Sequence, residues 1–299
     1  MIRLANAPCS WGVLEFEGTA GAARYDRVLD EIRDTGYAGT ELGDWGFMPT
    51  EPGALKRAVS DRGLRLMAAF VPVALADASS HKAGAATAVR TARLLRDAGE
   101  SDAIVVLSDD NGSVRERERN AGRITPALGL SDSQWNVFAA GAEQIARAVR
   151  DETGLRTAFH PHCAGYVETV PEIDALMRRS DPSVLGLCLD TGHIVYAGGD
   201  PLDVLERHAD RVWHVHFKDC DPKIAAKARA AGMGYLAAVR SQLFCELGAG
   251  AVDFAAVLGT LRRRKYAGWI VVEQDVFPGL GSPAESATRN RLYLRSLGL

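Results

Sequence analysis

The sequence predicts an α/β fold, a (β/α)8 barrel forming one domain over residues 1–299. Short runs rich in Val, Ile, Leu or Phe alternate eight times with segments of helical period, the pattern of a parallel sheet covered by helices. No glycine-rich phosphate turn follows a strand run, which favours a closed barrel over a doubly wound nucleotide-binding sheet. The length also suits a barrel of roughly 250 residues that carries insertions.

Strands are expected at 3–8, 38–43, 65–71, 103–108, 156–161, 184–190, 211–217 and 268–273. Helices are expected near 21–35, 52–62, 80–98, 132–152, 171–179, 201–208, 222–240 and 253–264, where apolar positions recur at i, i+3 and i+4. Several helix starts have a local cause. Thr169-Val-Pro-Glu172 reads as a capping box, Asp200-Pro201 as an N-cap followed by an N1 proline, and Asp253 as a cap. The Ala-rich stretch 222–240 and the loop 109–131 read as insertions on a βα face. The run Arg115-Glu-Arg-Glu-Arg119 is expected to be a solvated surface.

A net charge of -3 supplies no general attraction to phosphate, which argues against nucleic acid and anionic membrane surfaces as partners. No stretch approaches the ~20 apolar residues of a membrane span. The first residues break their apolar run at Asn6, Ser10 and Glu15, unlike a signal peptide. Five cysteines without a C-x-x-C pair are expected to be reduced thiols in a cytoplasm. The P-loop, H-E-x-x-H and G-x-S-x-G motifs are all absent. A small-molecule substrate is therefore the expected partner, and a homo-oligomer is left open.

Chemistry-bearing residues crowd the ends of the last four barrel strands, the end at which barrel enzymes carry their sites. The fifth expected strand runs out into Phe159-His-Pro-His162 and Gly165-Tyr-Val-Glu168, and the sixth into Leu189-Asp-Thr-Gly-His193. The seventh holds His214-Val-His-Phe-Lys-Asp219 and the eighth Val272-Glu-Gln-Asp275. Adjacent strands lie about 4.8 Å apart, so such ends converge. Carboxylate oxygens and imidazole nitrogens together suit Mn²⁺, Co²⁺, Mg²⁺ or Zn²⁺. Residues two apart face the same way, so His214 and His216 share a face, with His216 nearer the rim as the expected ligand and His214 as its support. Asp190 can reach the metal with His193 beside it. Glu273 closes the apolar run Trp269-Ile-Val-Val272, where a carboxylate needs a cation or hydrogen bonds to offset its burial.

At these residues the chain resembles the sugar phosphate isomerase/epimerase superfamily, the xylose isomerase-like TIM barrels, and within it the inosose (2-keto-myo-inositol) dehydratases. The resemblance runs from Ala7-Pro-Cys-Ser-Trp-Gly12 and Glu41-Leu-Gly-Asp44 through His160-Pro-His162, Leu189-Asp-Thr-Gly-His193 and His214-Val-His-Phe-Lys-Asp219. It continues to Gly248-Ala-Gly-Ala-Val-Asp-Phe254 and Val271-Val-Glu273. It implies a divalent metal, Mn²⁺ or Co²⁺ first, held by Glu, Asp, His and Glu from strands five to eight. Asp190, His216 and Glu273 match three of these; for strand five we expect Glu168, with His160 as the alternative. Endonuclease IV belongs to the same superfamily, but the third and fourth strands end in Phe70-Val-Pro72 and Ser108-Asp-Asp110 without its histidines, which argues against DNA repair.

Two reaction classes share the enediolate step the resemblance implies. One is a lyase that dehydrates a cyclic keto-polyol, and the other is an isomerase or epimerase of a sugar or keto-acid; a catalytically idle barrel is the third reading. Glu168 or Glu273 is the expected base and ligand, while His162, His193 and Lys218 are the candidates for acid and oxyanion partner. Substrate contacts are expected from His160, His162 and Trp11. Glu41, Asp44, Asp109 and Asp110 stay outside the catalytic set, as substrate contacts or loop caps.

Overall fold

The structure is a computed structural model that describes residues 1–13, 24–275 and 281–299. Eight parallel strands close a barrel: β1 (Arg3–Asn6), β2 (Gly39–Glu41), β3 (Arg65–Val73), β4 (Ile104–Asp109), β5 (Arg156–Phe159), β6 (Leu185–Asp190), β7 (Val212–Phe217) and β10 (Trp269–Val272). Their order around the barrel is β1-β10-β7-β6-β5-β4-β3-β2. A separate antiparallel pair, β8 (Asp219–Cys220) and β9 (Phe244–Cys245), lies outside it. All eight expected strands are present, although β5 stops at Phe159.

Helices α1 (Tyr25–Asp34), α2 (Pro52–Ser60), α3 (His81–Asp97), α5 (Asp132–Thr153), α6 (Val170–Arg179), α8 (Pro201–His208) and α11 (Phe254–Arg263) stand where periodicity placed them. Residues 21–23 of the first expected helix lie outside the described residues. Glu172 reaches back to the Thr169 N–H at 2.8 Å, and Asp200 and Asp253 cap α8 and α11 as expected. The expected helix 222–240 is two helices, α9 (Pro222–Ala230) and α10 (Tyr235–Arg240), because the chain turns at Gly232, whose φ of 65° suits glycine. Three helices had no clear period. Both α4 (Arg115–Asn120) and α7 (Thr191–Tyr196) are too short to show one, and α12 (Pro283–Ser296) buries only Ala287, Asn290 and Leu294.

Alternation along the strands sets what faces the barrel axis. A compact inner cluster holds Ala5, Ile104, Val106, Ala158, Cys188 and Val271, while a larger cluster packs the outer strand faces against the helices. Two residues further along, the inward rows of β4, β5, β6 and β10 reach Ser108, His160, Asp190 and Glu273, all buried. The inner core therefore ends in a polar layer.

The two insertions meet above that layer. Arg123 donates to Met233 O at 3.0 Å, and Arg229 donates to Gly122 O at 3.1 Å and to Tyr196 O at 2.7 Å. Between them a second core of small and aromatic side chains collects Ala121, Cys163, Ala164, Tyr196, Tyr235 and Phe244. The run Arg115–Arg119 is not wholly a solvated surface, since Arg117 is buried. Its guanidinium pairs both oxygens of Glu172 at 2.8 and 3.0 Å and donates to Gly165 O at 2.8 Å. A charge run cannot reveal this, because the fit depends on a partner distant in sequence.

Candidate active site

The strand-end residues come together at the floor of a cleft of roughly 610 Å³, including the part open to solvent, a size suited to a small molecule. Its lining combines apolar Ala7, Pro8, Val13 and Phe70 with polar Glu41, Asp44, His160, His162, His216, Lys218, Glu273 and Asp275. Adjacency in the sheet explains the convergence. Asp190 pairs with His216 across β6 and β7, and the Glu273 N–H donates to Phe217 O at 3.0 Å, which sets Glu273 beside Lys218.

His160, Asp190, His216 and Glu273 each offer one ligand atom within 4.8 Å of the others. His160 Nε2 lies 3.4 Å from Asp190 Oδ2, and His216 Nδ1 lies 3.4 Å from Glu273 Oε2 and 3.6 Å from Asp190 Oδ2. Ligand atoms at ~2.1 Å from a cation sit about 3.0–3.5 Å apart, so these spacings resemble edges of a coordination shell. His216 Nδ1 is also buried without a hydrogen bond. The donor set thus fits a divalent cation of intermediate hardness.

Glu168 does not join this group. Its carboxylate accepts from the Gly122 N–H at 2.6 Å and the Ala164 N–H at 2.9 Å, on the far side of a loop that doubles back through Ala164 at φ 76°. Burial, opposed by those two bonds, raises its pKa to about 7. The strand-five position is filled by His160 instead, and the parity of Ala158, which faces the axis, is the sequence signal that points to it. Trp11 also stands apart. It is buried off the cleft, and its indole N–H donates to Glu31 Oε2 at 2.6 Å, tying the turn after β1 to α1.

Lys218 and His193 lie beside the cluster. The Lys218 ammonium is 3.1 Å from both oxygens of Asp275 and 3.0 Å from Glu273 Oε2, and burial is outweighed by those carboxylates and Asp190, which raise its pKa well above the usual value. Gly192 lets it pass, because a Cβ there would meet Lys218 Cγ at 2.6 Å. Asp219 is not its partner. That carboxylate instead accepts from the N–H groups of Cys220, Gly248, Gly250 and Val252, shaping the loop after β9. His193 is 3.3 Å from the Lys218 Nζ and does not line the cleft. His162 does line it. Its Nδ1–H donates to Cys163 O at 2.6 Å, and burial together with His160 and Lys218 lowers its pKa well below the usual value. Sequence reasoning left out Asp275 and treated Glu41 as peripheral. Glu41, buried at the end of β2, accepts from His214 Nε2 at 2.7 Å and His216 Nε2 at 3.0 Å, and these bonds and the His216 charge outweigh burial to hold it at about 2.

A parallel barrel whose inward rows end in imidazoles and carboxylates, opening on a small-molecule cleft, is the architecture of an α/β-barrel enzyme. Residues 29–297 match the xylose isomerase-like TIM barrels, and the chain belongs to that family. It is 32% identical over 295 residues to an inosose dehydratase of Geobacillus kaustophilus, covering 99% of this chain and 94% of the relative. An inosose dehydratase of Lacticaseibacillus casei is 30% identical over 294 residues, covering 98% of this chain and 96% of that one. Among solved structures, a 3-keto-D-glucoside 4-epimerase from E. coli superposes with a TM-score of 0.70 over 99% of this chain and 100% of the other, at 16% identity. The chain is an enzyme of dehydratase or isomerase/epimerase type. No helix among the described residues is long and apolar enough to cross a membrane.

Proposed function

We propose that the chain, acting as one domain, is a divalent-cation-dependent lyase that dehydrates a cyclic keto-polyol through an enediolate. The convergence of His160, Asp190, His216 and Glu273, of which all but Asp190 line the cleft, carries this reading. Full-length similarity to inosose dehydratases supports dehydration over epimerisation. Two imidazoles with two carboxylates suit Mn²⁺, Co²⁺, Mg²⁺ or Zn²⁺, and Mn²⁺ or Co²⁺ is our first choice. When bound, the cation supplies a Lewis acid for the ketone oxygen. The chain's own groups supply the proton transfers. Glu273, kept ionised by the Lys218 ammonium 3.0 Å away despite burial, takes the acidic hydrogen next to the ketone. Lys218, held as an ammonium by Asp275 and Glu273, gives a proton to the departing hydroxyl, with His193 packed against it. His162 and Asp44 face the hydroxyls, and Phe70 and Pro8 cover the ring. Five unpaired cysteines support a reducing, cytoplasmic setting.

The test is incubation of the Mn²⁺- or Co²⁺-reconstituted protein with 2-keto-myo-inositol, with elemental analysis in parallel. About one metal per chain and a new conjugated-carbonyl absorbance are expected. Solvent hydrogen entering an isomerised ketone without that absorbance identifies an epimerase instead. Negligible metal after reconstitution overturns the cation reading.

A further inference from the structure

Beside the proposed cation site, Glu41, His214 and His216 form a second buried group of potential ligands. Its spacing differs from that of the first. Glu41 Oε1 is 2.7 Å from His214 Nε2 and 3.0 Å from His216 Nε2, which are hydrogen-bond lengths. The 2.7 Å contact is shorter than the ~3.0–3.5 Å between two atoms ligating one cation. An ionised carboxylate only accepts, so both imidazoles carry their proton on Nε2 toward Glu41. In a neutral His216 the lone pair is then on Nδ1, the atom that lies 3.4 Å from Glu273 and 3.6 Å from Asp190 with no hydrogen bond of its own. The Cys188 thiol also lies close to His160 and His216, so a differently turned His216 ring would have another soft neighbour to face.

We infer that Glu41 is a positioning residue for the cation site: it holds the tautomer and ring angle that direct His216 Nδ1 at Asp190 and Glu273, and His214 fixes Glu41 in turn. The inference rests on the cation reading above. Its physical basis is that a carboxylate behind a ligating imidazole orients the ring and raises its basicity, an effect worth 10–100-fold in metal affinity. Because β2 and β7 are not neighbours in the sheet, this contact crosses the barrel interior.

The test uses Co²⁺ as the probe, added to the full chain after chelator treatment and followed by calorimetry and the visible absorption of the ion. Wild type is expected to bind one Co²⁺ per chain. Glu41→Leu should bind about 10- to 100-fold more weakly, and Glu41→Gln, whose amide oxygen can still accept, about 10-fold. His214→Phe should lose less than Glu41→Leu. Thermal melts without metal confirm that each variant is folded, and the glutamine variant keeps the test open if the leucine variant is not. Wild-type affinity in a folded Glu41→Leu or Glu41→Gln overturns this inference alone. A second Co²⁺ bound by wild type and lost in Glu41→Gln makes Glu41 a ligand and overturns it too. If wild type binds no Co²⁺, the cation reading falls and takes this one with it.

Discussion

Arg117 and Lys218 are both cations buried near the carboxyl ends of the barrel strands, 0% and 2% exposed, but their surroundings obey opposite rules. The side-chain polar atoms of Arg117, Glu172 and Glu168 are all paired. The Arg117 guanidinium holds Glu172 and Gly165 O, and Glu172 also accepts from the Glu168 N–H, the Thr169 N–H and the Thr169 hydroxyl. Glu168 in turn ties Gly122 to Ala164. This clasp joins the α4 insertion to the loop that bears His160 and His162. Around Lys218, by contrast, Asp190, Glu273 and Asp275 crowd one ammonium, and His216 Nδ1 and His160 Nδ1 are buried without hydrogen bonds. A satisfied network holds shape, whereas an under-satisfied one beside a cleft is poised to take a ligand.

Substitutions in the two networks should therefore give different phenotypes. Glu273→Gln should cut turnover by about 10⁴-fold or more while circular dichroism and metal-free melts still report a folded chain. Wild-type turnover in that variant would move the chemical centre elsewhere. In the clasp, Arg117→Met leaves Glu172 buried without its cation and should cost about 3–5 kcal/mol in denaturant unfolding. Co²⁺ affinity measured well below its Tm should stay near wild type, and an undiminished stability would show that the clasp holds nothing. Lys218→Met should retain the metal and lower kcat by about 10²–10³. Persistence of solvent-hydrogen exchange next to the ketone in that variant would assign Lys218 to the departing hydroxyl, while joint loss would assign it to the enediolate.

The clasp also responds to pH. Burial raises Glu168 from 4.5 to about 7, so between these values the unfolded chain has released a proton that the folded one keeps. Its contribution is therefore fully present below about 4.5 and is lost as pH rises through about 7, on the order of 3 kcal/mol. Glu168→Gln should flatten that part of the stability–pH curve, read from Tm between pH 4.5 and 7.5. An unchanged slope would mean the carboxyl is ionised throughout.

Eight strands and most helices were legible in the sequence because each is a local pattern, an apolar run or a helical period, that its own residues encode. The same is true of Asp190, His216 and Glu273, which close such runs. Other positions were decided by contacts distant in the chain. Whether His160 or Glu168 faces the axis depends on β5 ending at Phe159 and on the backward turn at Ala164 that gives Glu168 to backbone amides. The burial of Arg117 depends on Glu172, 55 residues away, and the placing of Glu41 on two histidines across the barrel. Trp11 sits in a motif yet packs on α1 because Glu31 accepts a hydrogen bond from its indole N–H. The sequence by itself determined which residue types stand at the strand ends, since alternation is a property of the strand. Only the closed barrel decided which of them meet, because a buried polar group is placed by the partner that satisfies it.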